Sequence, residues 1–241
     1  MKRNLLFVSL AFVGMIVGFA SCTSNDDTTI VYPGSENYFK TLEELVGVDS
    51  VQDPSTGMFV PVFKALTSNV FTDYDKNIGI FPPNIEGSFK MPTNVLKYST
   101  DPADQVVIDI NQGTRSFAFK NQHNRIASYS AAKGGSSDEV DTIYIMGQEN
   151  KFATWFVSRN KANYNQYNWD NVLVCIYTGE LTTDASGNRG IKNLKYGFYI
   201  REMVFGYVLS HDDSINLSAV NAVGTLKFYE DETNFTPEVI E

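Results

Sequence analysis

Histidine and cysteine are nearly absent from this chain: two of each in 241 residues. That leaves little for a zinc site, a thiol nucleophile or a His-centred relay, whose chemistry rests on those side chains. Basic residues are also in deficit, 19 Lys and Arg against 28 Asp and Glu. A net negative chain is a poor match for a phosphate backbone, so nucleic acid is not an expected partner. Gly-x-Ser-x-Gly, His-Glu-x-x-His, phosphate-loop and Cys-x-x-Cys patterns are all missing, and with them the commonest hydrolase, metalloprotease, nucleotide and redox signatures. No cofactor and no metal are expected, and no catalytic residue stands out.

What is present begins with an address. Lys2 and Arg3 precede an uncharged apolar run from Leu5 to Phe19, and small Ala20 and Ser21 then lead to Cys22. A charged n-region, an apolar h-region and small residues before a cleavage point make a secretion signal. A retained membrane helix is the alternative, since a span needs about 20 apolar residues. The cysteine after Phe19-Ala20-Ser21 resembles the lipobox of bacterial lipoproteins, which implies acylation of Cys22 and removal of residues 1–21. Thr23-Ser24-Asn25-Asp26-Asp27 resembles the surface-export signal of lipoproteins from gut Bacteroidetes. The expectation is an outer-membrane lipoprotein, surface-exposed, with a periplasm-facing orientation as the alternative. The mature chain would carry 17 basic and 28 acidic residues, a formal charge of −11.

Residues 22–34 read as a lipid-anchored linker ending in Pro33-Gly34. Tyr38, Phe39, Leu42, Leu45 and Val46 recur at helical spacing between Ser35 and Gly47, which predicts a helix. Residues 48–83 read as irregular up to Pro82-Pro83. From residue 84 the apolar period becomes two. Ten runs rich in Val, Ile, Thr and aromatics are read as strands: 87–91, 95–99, 105–110, 115–120, 125–130, 141–146, 152–158, 172–182, 194–208 and 221–229. In one of them Leu194, Tyr196, Phe198 and Ile200 alternate with Lys195, Gly197, Tyr199 and Arg201, one face for a core and one mixed. A break or bulge near Gly206 is expected in so long a run. The fold class is mainly β: an antiparallel β-barrel of about 8–10 strands over residues 84–241, with a β-sandwich as alternative.

Pro82-Pro83-Asn84-Ile85-Glu86-Gly87-Ser88-Phe89, Gly190-Ile191-Lys192-Asn193-Leu194-Lys195-Tyr196-Gly197-Phe198 and Val223-Gly224-Thr225-Leu226-Lys227-Phe228-Tyr229 resemble a group of uncharacterised gut Bacteroidetes lipoproteins with a lipocalin-like barrel. Gly87-Ser88-Phe89 is similar to the Gly-x-Trp that opens a lipocalin barrel. Phe89 replaces the Trp, and Thr72-Asp73-Tyr74 lies before this strand where lipocalins place the triplet after it.

The stretch from Asn160 to Asn171 reads as a polar loop carrying large aromatics. Tyr164, Asn165, Tyr167, Asn168, Trp169 and Asp170 combine flat rings with amide and carboxylate groups, the mixture that sugar recognition requires. They are the candidate ligand-binding residues; the alternative is a lid over the barrel mouth. Cys175, inside Val172-Leu173-Val174-Cys175-Ile176-Tyr177, reads as a core residue. Glu139 and Asp141 read as solvated surface, and Asp184 to Asn188 as a hairpin turn. Asp73-x-Asp75-x-Asn77 fails as a calcium loop because Ile78 and Asn84 stand where Gly and Glu are needed. Asp49-Ser50-Val51, Asp141-Thr142-Ile143 and Asp213-Ser214-Ile215, with Asp27-Thr28-Thr29 as a fourth candidate, resemble a Bacteroidetes O-glycosylation pattern.

The resulting expectation is a non-enzymatic, lipid-anchored envelope protein that binds a small apolar or glycan-like ligand. An accessory subunit of a surface complex and an extracellular glycan or lipid hydrolase are the alternatives.

Overall fold

The computed structural model describes residues 46, 50–53, 56–69, 79, 81–133, 136–164, 167–207 and 223–239. Cys22, the linker and most of the expected helix at 35–46 lie outside the described residues; Val46 alone of that stretch is described, helical and buried. The segment read as irregular holds more order than its composition implies. Strands β1 (Ser50–Gln52) and β2 (Phe59–Pro61) pair antiparallel, and α1 (Val62–Asn69) follows at once. Val62, Ala65 and Leu66 occur at helical spacing and are buried, a signal too short to stand out beside Pro54 and Pro61.

The main body is one antiparallel sheet that curls into a half-barrel. Its nine-strand path runs β3 (Gly87–Met91), β5 (Arg115–His123), β6 (Ile126–Lys133), β7 (Ser136–Gln148), β8 (Lys151–Tyr164), β9 (Tyr167–Thr183), β10 (Arg189–Tyr207), β11 (Leu226–Glu230) and β4 (Val95–Ser99). A short β12 (Thr236–Pro237) pairs with β10 off this path. The C-terminal segment also reaches the opposite limb: Phe89 bridges Glu238, and the Val239 amide donates to the Ser88 carbonyl at 2.7 Å. Arg189 supports this end by donating to the carbonyls of Glu86 and Asn84 at 2.5 and 2.6 Å and pairing with Glu238. Gly190 is needed there because a Cβ would lie 2.5 Å from the Phe235 ring and 2.7 Å from the Thr236 carbonyl oxygen.

Four expectations are corrected. Residues 105–110 do not form a strand: Pro102–Val107 is a 3-10 helix, started by the Asp101 carboxylate accepting from the Ala103 amide and by Pro102 in the first turn. The stretch 160–171 is not a loop, for β8 and β9 continue as a hairpin with Tyr164 opposite Tyr167. The irregularities of β10 fall at Lys192/Lys195 and Ile200/Glu202, not near Gly206. The last strand begins at Leu226, after a turn at 223–224, not at 221. The turn at 184–188 forms as read, with the Asp184 carboxylate accepting from the Ser186 and Asn188 amides and Gly187 at φ +84°.

The concave face carries the core: Phe89, Phe117, Phe119, Tyr129, Phe156, Tyr177 and Tyr196 with Ile85, Ile143, Ile145, Ile191 and Leu194. At the edge, buried Asp231 accepts from Thr93 Oγ1 (2.8 Å), Thr233 Oγ1 (2.7 Å), Thr236 Oγ1 (2.5 Å) and the Thr233 amide (3.1 Å). It thereby ties the approach to β4 to the chain's last strand. Asp231→Ala orphans these donors, so a loss of about 2–4 kcal/mol is expected in urea unfolding; a change within about 0.5 kcal/mol would show that the cluster holds nothing together.

Candidate functional site

Alternation along β5 places Arg115 on the same face as Phe117 and Phe119, opposite Met91 of β3, and therefore on the concave side. Arg115 Nε donates to Tyr177 Oη at 3.1 Å and Nη2 to Tyr129 Oη at 3.2 Å. The two phenols are themselves 2.6 Å apart. The guanidinium lies over the Tyr196 ring, 4.6 Å from its centroid, and Tyr196 Oη donates to Asn94 Oδ1. Tyr196 stacks in turn on Tyr177 and Tyr229, with centroids 5.2 and 4.7 Å away. Phenols and a ring face stabilise a cation only partly.

No carboxylate among the described residues lies within ion-pair distance of Arg115. Lys227 makes the contrast. Its ammonium is as enclosed as a core atom, yet it meets Asp104 at 2.6 Å, and Asp104 also accepts from Ser99 Oγ. Arg115, by comparison, is met by the phenols of Tyr129 and Tyr177 and the ring of Tyr196.

The concave face also carries polar groups on β7, β8 and β9. Asp138 pairs with core residue Ala131 and so points inward. Ser158 follows Phe156 by two on β8, and Asn171 precedes Cys175 by four on β9, both on the concave face. Asp138 Oδ1, Ser158 Oγ, Asn171 Oδ1 and the deeper Thr154 Oγ1 are buried with no well-formed hydrogen bond among the described residues. Native proteins leave few such atoms, so four on one face of one sheet require an account. Burial raises the Asp138 carboxyl's pKa, opposed by the charge on Arg115 and by the neighbouring Ser158 hydroxyl. Burial also pushes the Cys175 thiol up to about 12, which removes it as a nucleophile and fits its reading as a core residue.

Accessibility on this part of the concave face is uneven. Cys175 and Phe198 are half-buried, and Val140 and Tyr229, also packed on the core, retain accessible surface too. Phe156 and Ser158 on the same face are fully buried.

The residues singled out from sequence fall beyond this layer. Tyr164, Tyr167, Asn168, Trp169 and Asp170 occupy the far end of the β8–β9 hairpin, and only their backbone is described; Asn165 lies outside the described residues. Trp169 and Asp170 pair with Ala162 and Lys161 on one side and with Phe205 and Val204 on the other. Glu139, and Asp141 and Thr142 of the expected glycosylation pattern, are all exposed on β7. The Asp73-x-Asp75-x-Asn77 segment lies outside the described residues. Among those described, no three His, Cys, Asp or Glu side chains gather as metal ligands, and no helix is long and apolar enough to cross a membrane.

Compared with protein-family models, with curated proteins and with solved structures, the chain matches none.

Sequence reading missed Arg115, Asp138, Ser158 and Asn171. A signal for the first existed: Arg115-Ser116-Phe117-Ala118-Phe119 places a cation at the head of an apolar face. Nothing comparable marks Ser158, because a serine in a strand is ordinary.

The tyrosines give the site a pH signature. Burial, outweighing Arg115's charge, pushes Tyr129 up to about 12 and raises Tyr177 and Tyr196 as well. Unfolded tyrosine ionises near ~10. Between those values the unfolded chain has lost protons that the folded one keeps, so stability falls as pH rises. The urea midpoint is expected to be level below about pH 9 and to drop from about pH 10 upward, with the absorbance of phenolate appearing as the protein unfolds. Tyrosines that all titrate near their ordinary value in the folded protein would contradict the buried stack.

Proposed function

We propose that this protein is a lipid-anchored, non-enzymatic binding protein of the bacterial envelope that holds a small ligand within the concave face of its β-sheet. The observation that carries the reading is that inward Cys175, Phe198, Val140 and Tyr229 keep accessible surface above an aromatic floor. Ligand sites are concave, mostly apolar and furnished with a few polar groups, and Arg115 and Asp138, each partly accessible, supply two. On this reading the half-barrel serves as the cup of a lipocalin-like barrel, with the C-terminal segment stitching β10 to β3 at the closed end. The resemblance to lipoproteins of gut Bacteroidetes and the Cys22 lipobox support an outer-membrane, surface-facing location.

Two measurements test the two halves of this reading. Cys22→Ser is expected to abolish incorporation of labelled palmitate and to move the protein from the membrane to the soluble fraction; retention in the membrane without label would indicate an uncleaved helical anchor. Cys175→Phe adds a ring to the free space. It is expected to change stability by less than about 1 kcal/mol, whereas overpacking a filled core costs about 1–3 kcal/mol. Native mass spectrometry of the protein extracted from its own membranes should then show a small molecule on the wild type and none on the variant. A bound molecule retained by Cys175→Phe would place the site elsewhere.

A further inference from the structure

We infer that Lys227 and Ser99 are the anion-recognising end of the concave face, that Asp104 holds the ligand's place there, and that the ligand is a small carboxylic acid with an apolar body whose carboxylate exchanges with that of Asp104. The inference rests on the small-ligand reading above and narrows it to one chemical class.

Strand register puts the two donors on the inside. Lys227 precedes Tyr229 by two on β11 and lies opposite Phe198 of β10 and Ser99 of β4. Tyr229 stacks on the core ring of Tyr196, so Lys227, Phe198 and Ser99 share the concave side with it. The ammonium of Lys227 and the hydroxyl of Ser99 converge on one oxygen, Asp104 Oδ2, at 2.6 and 2.5 Å. Two donors on one oxygen, one of them charged, are the equipment for holding a carboxylate. The Lys227 and Asp104 side chains are only 7 and 17 % exposed. Burial raises the pKa of the Tyr229 phenol, with Tyr196 and Asp104 adding to it, which places the Asp104 carboxylate near that ring.

The segment that brings this carboxylate in is poorly anchored. Pro102–Val107 has no buried residue, and Val106 is 79 % exposed. The segment is pinned at its two ends, where the Thr100 amide donates to the Leu226 carbonyl at 3.0 Å and the Asp109 amide to the Leu96 carbonyl at 2.8 Å. Between those pins it meets the sheet through Asp104, through the Asp101 amide on Ser99 Oγ at 3.0 Å and through Gln105 Nε2 on the Ser99 carbonyl at 3.1 Å. A segment without buried apolar contacts opens locally at low cost. What opposes opening is the enclosed ammonium, because a buried charge left without its partner is strongly unfavourable. A ligand carboxylate removes that obstacle by replacing Asp104. An ammonium ligand is repelled by Lys227, and a neutral alcohol leaves its charge unmet. The apolar body has a surface to lie on: Phe198 and Tyr229 stack at 6.1 Å, both keep accessible surface, and Phe198 leads across β9 to half-buried Cys175.

The test uses the full-length chain in mild detergent, titrated calorimetrically with octanoate, with phenylacetate, and with phenylethanol and phenylethylamine as the neutral and cationic counterparts of the latter. At least one carboxylate is expected to bind, about tenfold more tightly to Asp104→Asn than to the wild type, because the internal competitor is gone. Asp104→Asn/Lys227→Met leaves neither charge buried alone, and it is expected to bind that carboxylate about tenfold or more weakly than Asp104→Asn does, the loss of a hydrogen bond from a charged donor. Hydrogen exchange at the amides of Ala103–Val107 of the wild type should speed up when the carboxylate binds. Carboxylate binding that Asp104→Asn does not tighten, that the double variant retains, that its neutral or cationic counterpart equals, or that slows exchange at Ala103–Val107 overturns the inference. Binding of phenylethanol alone overturns it and leaves the small-ligand reading standing; silence from every probe with the wild type and with Asp104→Asn removes both.

Discussion

A guanidinium inside the curve of a β-sheet is the constraint around which the concave face is arranged. Arg115 cannot shed its charge, and no carboxylate among the described residues lies close enough to neutralise it. The face answers with tyrosine. Tyr129 and Tyr177 turn phenol oxygens toward it, and Tyr196 offers a ring face held by Asn94 and by stacking on Tyr229. Those three rings belong to the same cluster as Phe117, Phe119 and Phe156, so the layer that stabilises the cation is also the top of the hydrophobic core. Below it the curl is packed and closed by Arg189 and the C-terminal segment; above it inward side chains keep free surface beside polar atoms that lack partners.

The strand pattern was legible in the sequence wherever apolar residues alternated. Leu194, Tyr196 and Phe198 face the core as their spacing implies, and Tyr177 and Cys175 do the same on β9. Two kinds of error arose, with different causes. Residues 105–110 are as rich in Val and Ile as any strand, but Asp101 and Pro102 just before them start a helical turn, and a local cap outweighs β-propensity. The amide-rich stretch 160–171 was read from residue preference alone, since Asn favours turns. Pairing of β8 with β9 along its whole length gives those backbones partners that no local pattern could reveal.

The candidate site was legible only in outline. The β-rich body was legible in the sequence, while of the residues singled out for binding only the backbones of Tyr164, Tyr167, Asn168, Trp169 and Asp170 are described. Arg115, Asp138, Ser158 and Asn171 come from β5, β7, β8 and β9, and their meeting on one face is a property of three-dimensional packing. Sequence shows which residues are polar. It does not show which strands bring them to one face.

Accessible space on the concave face above the Arg115 layer is the central claim, and diffraction from crystals of the protein to high resolution tests it most directly. The account predicts electron density for ordered water or a bound molecule against the inward side chains of Cys175 and Phe198. Density showing protein side chains packed solidly over both would contradict it.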